Sequence, residues 1–178
     1  MQKLSLDQLE RVDIETYKKQ DKFPIKIILD NVRSMHNVGS TFRTADCLAV
    51  ESVVLCGITA TPPHREIEKT ALGATAAVEW DYQKDAIEYV KKIKEEGYKI
   101  IAVEQIKEST QLNDFKPEPD TKYALIFGNE VHGVQQEIVD MADLGLEIPQ
   151  FGTKHSFNIT VSIGIVVWDL VSKIHFTS

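Results

Sequence analysis

The sequence predicts an α/β fold: a mostly parallel sheet with helices on both faces. Two observations predict it. Five short apolar runs, 25–29 (IKIIL), 52–55 (SVVL), 99–103 (KIIAV), 123–127 (YALIF) and 144–148 (LGLEI), have the length and composition of strands. Amphipathic or mixed segments separate them, and strands that alternate with helices form parallel sheets covered from both sides.

The elements follow in chain order. Ser5-Leu6-Asp7-Gln8 has capping-box spacing, and Leu9, Val12 and Tyr17 recur at roughly helical intervals, so a helix is expected over 5–20, ended by Phe23-Pro24. A weaker strand is expected at 76–80. Residues 83–96 (QKDAIEYVKKIKEE) form an amphipathic helix that stops at Gly97, a suitable C′ residue. The polar, proline-containing segment 107–122 reads as a surface connection. The last segment, 158–174 (NITVSIGIVVWDLVSKI), has β-branched content that would also suit strands. Its length and the cap offered by Asn158 favour a helix. With Asp169 and Lys173 inside it, a core or interface helix is expected rather than a membrane span.

At 178 residues and 43% apolar content, the chain fits one compact domain with a sizeable core. Cys47 and Cys56 have neither the number of a disulfide framework nor the spacing of a zinc site, and both read as small buried hydrophobes. The first twenty residues hold no continuous apolar run of signal-peptide length, so a cytoplasmic location is expected. The net charge of −7 has the wrong sign for gripping phosphate backbones by bulk charge. Lys18, Lys19, Lys22 and Lys26, followed by Arg33, His36, Arg43, His64 and Arg65, could still form a local basic rim. The same lysines read equally well as a solvated helix face.

Three segments carry candidate chemistry, each following an expected strand, where open α/β sheets place their ligands. Asn31 to Arg43 (NVRSMHNVGSTFR) offers Gly39 for a tight turn and Arg43 for a phosphate. Phe127 to Val134 (FGNEVHGV) brackets an acidic residue with two glycines, which let backbone groups approach a ligand. Ile148 to Asn158 (IPQFGTKHSFN) brings hydroxyl and amide side chains to a helix N-terminus. Each alone could be an ordinary turn. His132 and His155 lack further ligands at metal-binding spacing, so no metal is expected.

Together and in this order, Asn37-x-Gly39-x-x-x-Arg43, Gly128-Asn129-Glu130-x-x-Gly133 and Ile148-Pro149 through Gly152 to Ser156-Phe157-Asn158 resemble the three motifs of the SpoU/TrmH group of the SPOUT methyltransferases. Lys69-Thr70-Ala71-Leu72-Gly73-Ala74 adds a fourth similar stretch, and the resemblance spans roughly 25–175. It implies a helical extension over 1–24, then a SPOUT domain over 25–178 whose C-terminal part is tied in a deep trefoil knot. It further implies S-adenosylmethionine (AdoMet) as cofactor, held by Val103, Glu104, Gln105, Gly128, Asn129, Ile148, Gly152, Ser156 and Phe157, and a homodimer packed through the apolar C-terminal helix. The implied reaction is methylation of a ribose 2′-hydroxyl in RNA; for a domain of this size tRNA is favoured over rRNA. Arg43 would anchor a phosphate and assist deprotonation, while Asn37, Glu130, Ser156 and Asn158 orient it and the acceptor. Each of these four also has an ordinary structural role open to it: a cap for Asn158, turn hydrogen bonds for Asn37 and Ser156, and a surface charge for Glu130.

The sequence departs from the family pattern at two places. Gln150 stands where methionine is usual and Phe157 where leucine is usual, which puts a polar group in or near the knot but removes no group the reaction needs. The acidic pI of 5.2 leaves two other classes open: a catalytically inactive dimeric module that binds AdoMet or RNA, and a small-molecule methyltransferase on the same fold.

Overall fold

The chain's first strand, β1 (Phe23–Asp30), becomes the middle of the sheet because it is apolar on both faces: Ile25, Ile27 and Leu29 point to one side and Ile28 to the other, all fully buried. Burying each such side chain stabilises the fold by about 1.5–3 kcal/mol. The computed structural model describes residues 3–5, 8–9 and 11–176. Before β1 lies α1 (Ile14–Lys19). After it come α2 (Met35–Cys47), β2 (Val50–Cys56), α3 (Arg65–Ala71), α4 (Ala74–Ala77), β3 (Trp80–Gln83), α5 (Ala86–Glu95) and β4 (Tyr98–Val103). The rest is β5 (Thr110–Gln111), β6 (Lys122–Phe127), α6 (Gln136–Met141), β7 (Leu144–Glu147) and α7 (Ile159–Phe176).

Seven strands form one sheet in the order β3-β2-β1-β6-β4-β7-β5, every neighbouring pair parallel. The expected α/β class is therefore present. One face is covered by α1 to α4 and α7, which share a core with Ile25, Ile27 and Leu29, and the other by α5 and α6, which pack on Ile28, Val54, Ile100 and Ile126. Strands β6 and β7 are each inserted between strands formed earlier in the chain. That leaves the carboxyl ends of β4, β6 and β7 side by side, and the loops leaving them meet there.

Several expectations change. The N-terminal helix covers only Ile14–Lys19, capped by Asp13, whose Oδ1 accepts from Thr16 N at 2.8 Å. Of the expected capping box, Ser5 N donates to Gln8 Oε1 at 2.8 Å, while Leu6 and Asp7 lie outside the described residues. Phe23-Pro24 opens β1 instead of merely ending a helix, since proline is tolerated at a strand's start. The weak strand at 76–80 is displaced: Gly73, at φ 91°, starts the short helix α4, and the strand falls at Trp80–Gln83. The segment 107–122 contributes β5 and buries Leu112 and Phe115, whose carbonyls both accept from Lys173 Nζ of α7 at 2.8 Å. Cys56 is buried as expected, but Cys47 is exposed at the end of α2.

Helix α7 begins as expected at Asn158, whose Oδ1 accepts from Thr160 N at 2.9 Å. Among the described residues it is long and apolar enough, by length and composition, to cross a membrane. Its Ile163, Val166, Val167, Leu170 and Val171 are nevertheless buried in the core, and Lys173 pairs with Asp169 at 2.7 Å. Val161 and Trp168 remain exposed on its outer side.

Gly39 makes no tight turn. It lies inside α2, where an added Cβ would stand 2.2 Å from the Ile67 carbonyl oxygen and 2.2 Å from Thr70 Oγ1. Glycine here lets α2 and α3 meet backbone to backbone, and Thr70 Oγ1 then donates to His36 O at 3.0 Å. Gly39→Ala is expected to destabilise the protein by about 1–3 kcal/mol through overpacking. Urea unfolding measures this, and an unchanged midpoint would show that α3 can retreat without cost.

Candidate active site

Asn31 leaves β1 in the left-handed conformation at φ 55°, which asparagine tolerates better than most residues. The turn it makes brings Ser34 to the N-cap of α2, where its Oγ accepts from Asn37 N at 3.3 Å. A helix start leaves N–H groups without intrahelical acceptors and carries a partial positive charge. Glu130, from the loop after β6, supplies the anion. Its Oε2 accepts from Arg33 N at 3.0 Å, and its Oε1 accepts from Ser34 N at 3.0 Å and Asn37 Nδ2 at 3.1 Å. Burial opposes its ionisation, but the backbone donors, Arg33 and Ser34 among them, together with Asn37 outweigh that and hold the carboxyl below its ordinary value. Asn158 Nδ2 reaches Asn37 Oδ1 at 3.4 Å, so Asn158, Asn37 and Glu130 form one polar chain joining α7, α2 and the β6 loop.

The β6 loop is folded tightly on itself. Asn129 and Gly133 exchange backbone hydrogen bonds at 3.0 and 2.9 Å, and Asn129 Oδ1 accepts from Val131 N at 2.9 Å and His132 N at 3.1 Å. A Cβ on Gly128 would lie 2.0 Å from the Gly133 carbonyl carbon, so only glycine permits this closure. Glu104, just after β4, holds the loop from the other side: its Oε2 accepts from Val134 N at 3.2 Å. Gln105 Nε2 donates to the carbonyl of His155 at 2.6 Å and so ties the β4 loop to the third loop, 148–158. Gln150 Nε2 approaches the same carbonyl at 3.5 Å.

These three loops enclose a cleft of about 480 Å³. Val103, Glu104, Gln105, Gly128, Asn129, Ile148, Ser156 and Phe157 all line it, as do Glu130 and Asn158. Asn37 joins through its bonds to Glu130 and Asn158. Besides Asn37, two expected residues are absent from the lining. Gly152 borders a neighbouring hollow of about 350 Å³ on the outer side of the third loop. Arg43 is exposed on α2. Sequence reasoning missed Leu146, Ile159 and Ser162, which also line the cleft. Ser162 stands four residues, one helical turn, after Asn158, and that spacing was the available signal. Among the described residues no cluster of His, Cys, Asp and Glu could hold a metal.

A parallel sheet with a three-loop cleft at its carboxyl edge, rimmed by the Asn158–Asn37–Glu130 chain, defines an open-sheet α/β protein with a ligand site at the strands' carboxyl ends. The chain belongs to the SpoU rRNA Methylase family, whose sequence model matches residues 24–168. A tRNA (guanosine(18)-2'-O)-methyltransferase of Borreliella burgdorferi is 27% identical over 154 residues, covering 86% of this chain and 69% of that relative. A 23S rRNA (guanosine-2'-O-)-methyltransferase of Neisseria meningitidis is 30% identical over 144 residues, and there the match covers 81% of this chain but only 56% of the relative's length. Among solved structures, the A. aeolicus TrmH/SpoU tRNA modifying enzyme superposes with a TM-score of 0.80 at 25% identity, covering 92% of this chain and 81% of that one. An AdoMet-bound rRNA methyltransferase from Sinorhizobium meliloti gives 0.78 at 22% identity over 90% of this chain and 59% of its own, and shares the fold.

Because the folded-state carboxyl of Glu130 titrates below its ordinary value of 4.5, its contribution to stability is fully present above that value and is lost as pH falls through the lower folded value. The stability difference between the wild type and Glu130→Gln is therefore expected to be constant near neutrality and to shrink below pH 4.5. Denaturant unfolding at a series of pH values measures it. A difference that does not change with pH would mean that the charge of Glu130 does nothing for α2.

Proposed function

We propose that this chain is an AdoMet-dependent methyltransferase that methylates a ribose 2′-hydroxyl of RNA, working in the cytoplasm as a homodimer with tRNA as the favoured substrate. The observation that carries this reading is the hydrogen-bonded chain Asn158–Asn37–Glu130 on the rim of the three-loop cleft. The cleft fits the cofactor: about 480 Å³ is within the usual size of small-ligand sites. Val103, Phe127, Leu146 and Ile148 offer an apolar floor for a purine, and Glu104, Gln105, Asn129 and Ser156 offer polar groups for the ribose and amino-acid portions. Gln150 lines the same space with its amide near the His155 carbonyl, which is compatible with cofactor binding. The chain from β6 onward, where the family's deep trefoil knot would lie, supplies two of the three cleft loops.

When bound, AdoMet supplies a methyl group activated on a sulfonium. The protein's part is to bring the acceptor oxygen into line with it and to help the hydroxyl lose its proton. Glu130 fixes the start of α2 and the Asn37 amide, and Asn158 approaches Asn37 from α7. Arg43 lies further along the same helix, exposed and with no ion pair among the described residues, as suits a guanidinium that meets an RNA phosphate bidentately. Its ordinary charge makes anchoring its first role and proton transfer its second. The likeness to a tRNA (guanosine(18)-2'-O)-methyltransferase and to the A. aeolicus TrmH/SpoU tRNA modifying enzyme supports tRNA. Exposed Val161 and Trp168 on α7 support packing of that helix against a second copy.

Incubation with radiolabelled AdoMet and separate tRNA and rRNA fractions, followed by nucleoside analysis, is expected to yield a 2′-O-methylated nucleoside from tRNA. Label in no RNA would return the chain to a binding module or a small-molecule enzyme. Arg43→Ala is expected to lower methyl transfer about a hundredfold or more while AdoMet affinity stays intact, with Arg43→Lys rescuing poorly. Wild-type rates in the alanine variant would remove Arg43 from the site.

Sedimentation at micromolar concentration is expected to give a dimer that Trp168→Glu dissociates. A monomeric wild type would count against the interface.

A further inference from the structure

Asp30, the last residue of β1, is fully buried, yet neither the cleft nor the polar chain on its rim includes it. Its oxygens are fully engaged. Oδ2 accepts from Gln135 N at 3.1 Å, while Oδ1 accepts from Gln135 Nε2 at 2.8 Å and from Asn31 Nδ2 at 2.8 Å. All these donors are uncharged amides. An isolated buried carboxylate is costly, and such a group persists where its bonds fix something other groups depend on. Here the two ends of the fixed object are identifiable. Gln135 closes the β6 loop that carries Glu130, and Asn31 begins the turn that presents the Arg33 and Ser34 amides. A second strut crosses the same gap: Asn129 Nδ2 donates to Asn31 O at 2.7 Å.

We propose that Asp30 is a positioning residue for the reaction: with Gln135 it braces the β6 loop against the β1–α2 turn, and so sets where Glu130 meets Arg33, Ser34 and Asn37. This rests on the methyltransferase reading above. The geometry requires acceptors on both oxygens. An asparagine would keep one acceptor and turn its NH₂ toward an N–H already pointing at it, so a substitution close in size breaks the brace while conserving volume. The hydrogen bonds of the Asp30 side chain go to Gln135 and Asn31, neither of which lines the cleft, so its loss is expected to reach the chemistry through the β6 loop and the Glu130 that the loop carries.

The test is a double-mutant cycle with two independent readouts. Asp30→Asn is expected to lower kcat on the order of 10- to 100-fold, because small misplacements of an orienting group are costly. AdoMet affinity and the KM for RNA should hold. Added to Glu130→Gln, the same change should lower kcat no further, because both residues act through one hydrogen-bonded brace. Backbone amide NMR resonances of Arg33 and Ser34 should move in Asp30→Asn. Equal fold-losses of kcat in both backgrounds, or unmoved amide resonances, would overturn the proposal. Should Asp30→Asn not fold, Gln135→Met removes one strut of the brace at a half-buried position, and the same non-additivity is expected at smaller size. A wild type that methylates no RNA would overturn the reading of function, and the amide shifts alone would then decide whether the brace exists.

Discussion

The contact on which the rest of the site depends is that of the Glu130 carboxylate with the N-terminus of α2. It joins segments that are remote in sequence, fixes the Arg33 and Ser34 amides at the start of α2 and settles how the Asn37 side chain is turned. A helix N-terminus supplies donors and positive potential at no further conformational cost, so one acidic side chain there can organise several groups at once. The tight turn of the β6 loop between Asn129 and Gly133 holds that side chain in place, and that turn exists because residue 128 carries no Cβ.

Much of this was legible in the sequence, and the exceptions follow a pattern. Strands β1, β2, β4 and β6 are buried on both faces, so their continuous apolar runs betrayed them. Strand β3 did not, because it is only four residues long and Trp80, Asp81 and Tyr82 lie exposed at the sheet's edge, where no continuous apolar run is needed. The three loops were legible because glycines, asparagines and a capping site are local chemistry. Gly39 misled for the same reason: what demands glycine there is the backbone of Ile67 on another helix, which no local pattern reveals. Asp30 and Gln135 were invisible too. An aspartate at a strand's end looks like any turn residue, and its partner lies 105 residues away.

The distribution of charge and apolarity fits a division of labour between helices. Ion pairs of lysines with acidic residues, such as Lys91 with Glu88 and Lys94 with Asp143, sit on or beside α5, away from the cleft, where exposed pairs contribute little to stability. The face formed by α2 and α7 instead keeps Arg43 exposed and Trp168 uncovered. An acidic chain can in this way limit indiscriminate attachment to nucleic acid while Arg43 stays exposed for the anchoring role proposed above.

The insertion of β6 and β7 between strands laid down earlier has a consequence for synthesis on the ribosome. When residue 103 has emerged, β1 and β4 both exist, but the strand that separates them in the finished sheet does not. Each then presents an apolar edge with unpaired backbone groups, the arrangement most prone to wrong pairing. The nascent chain must hold that gap open, or reopen it, until residues 122–127 arrive. Its productive folding is therefore tied to the last third of the polypeptide, and ribosomal pausing or chaperone binding before that point would act on an incomplete sheet.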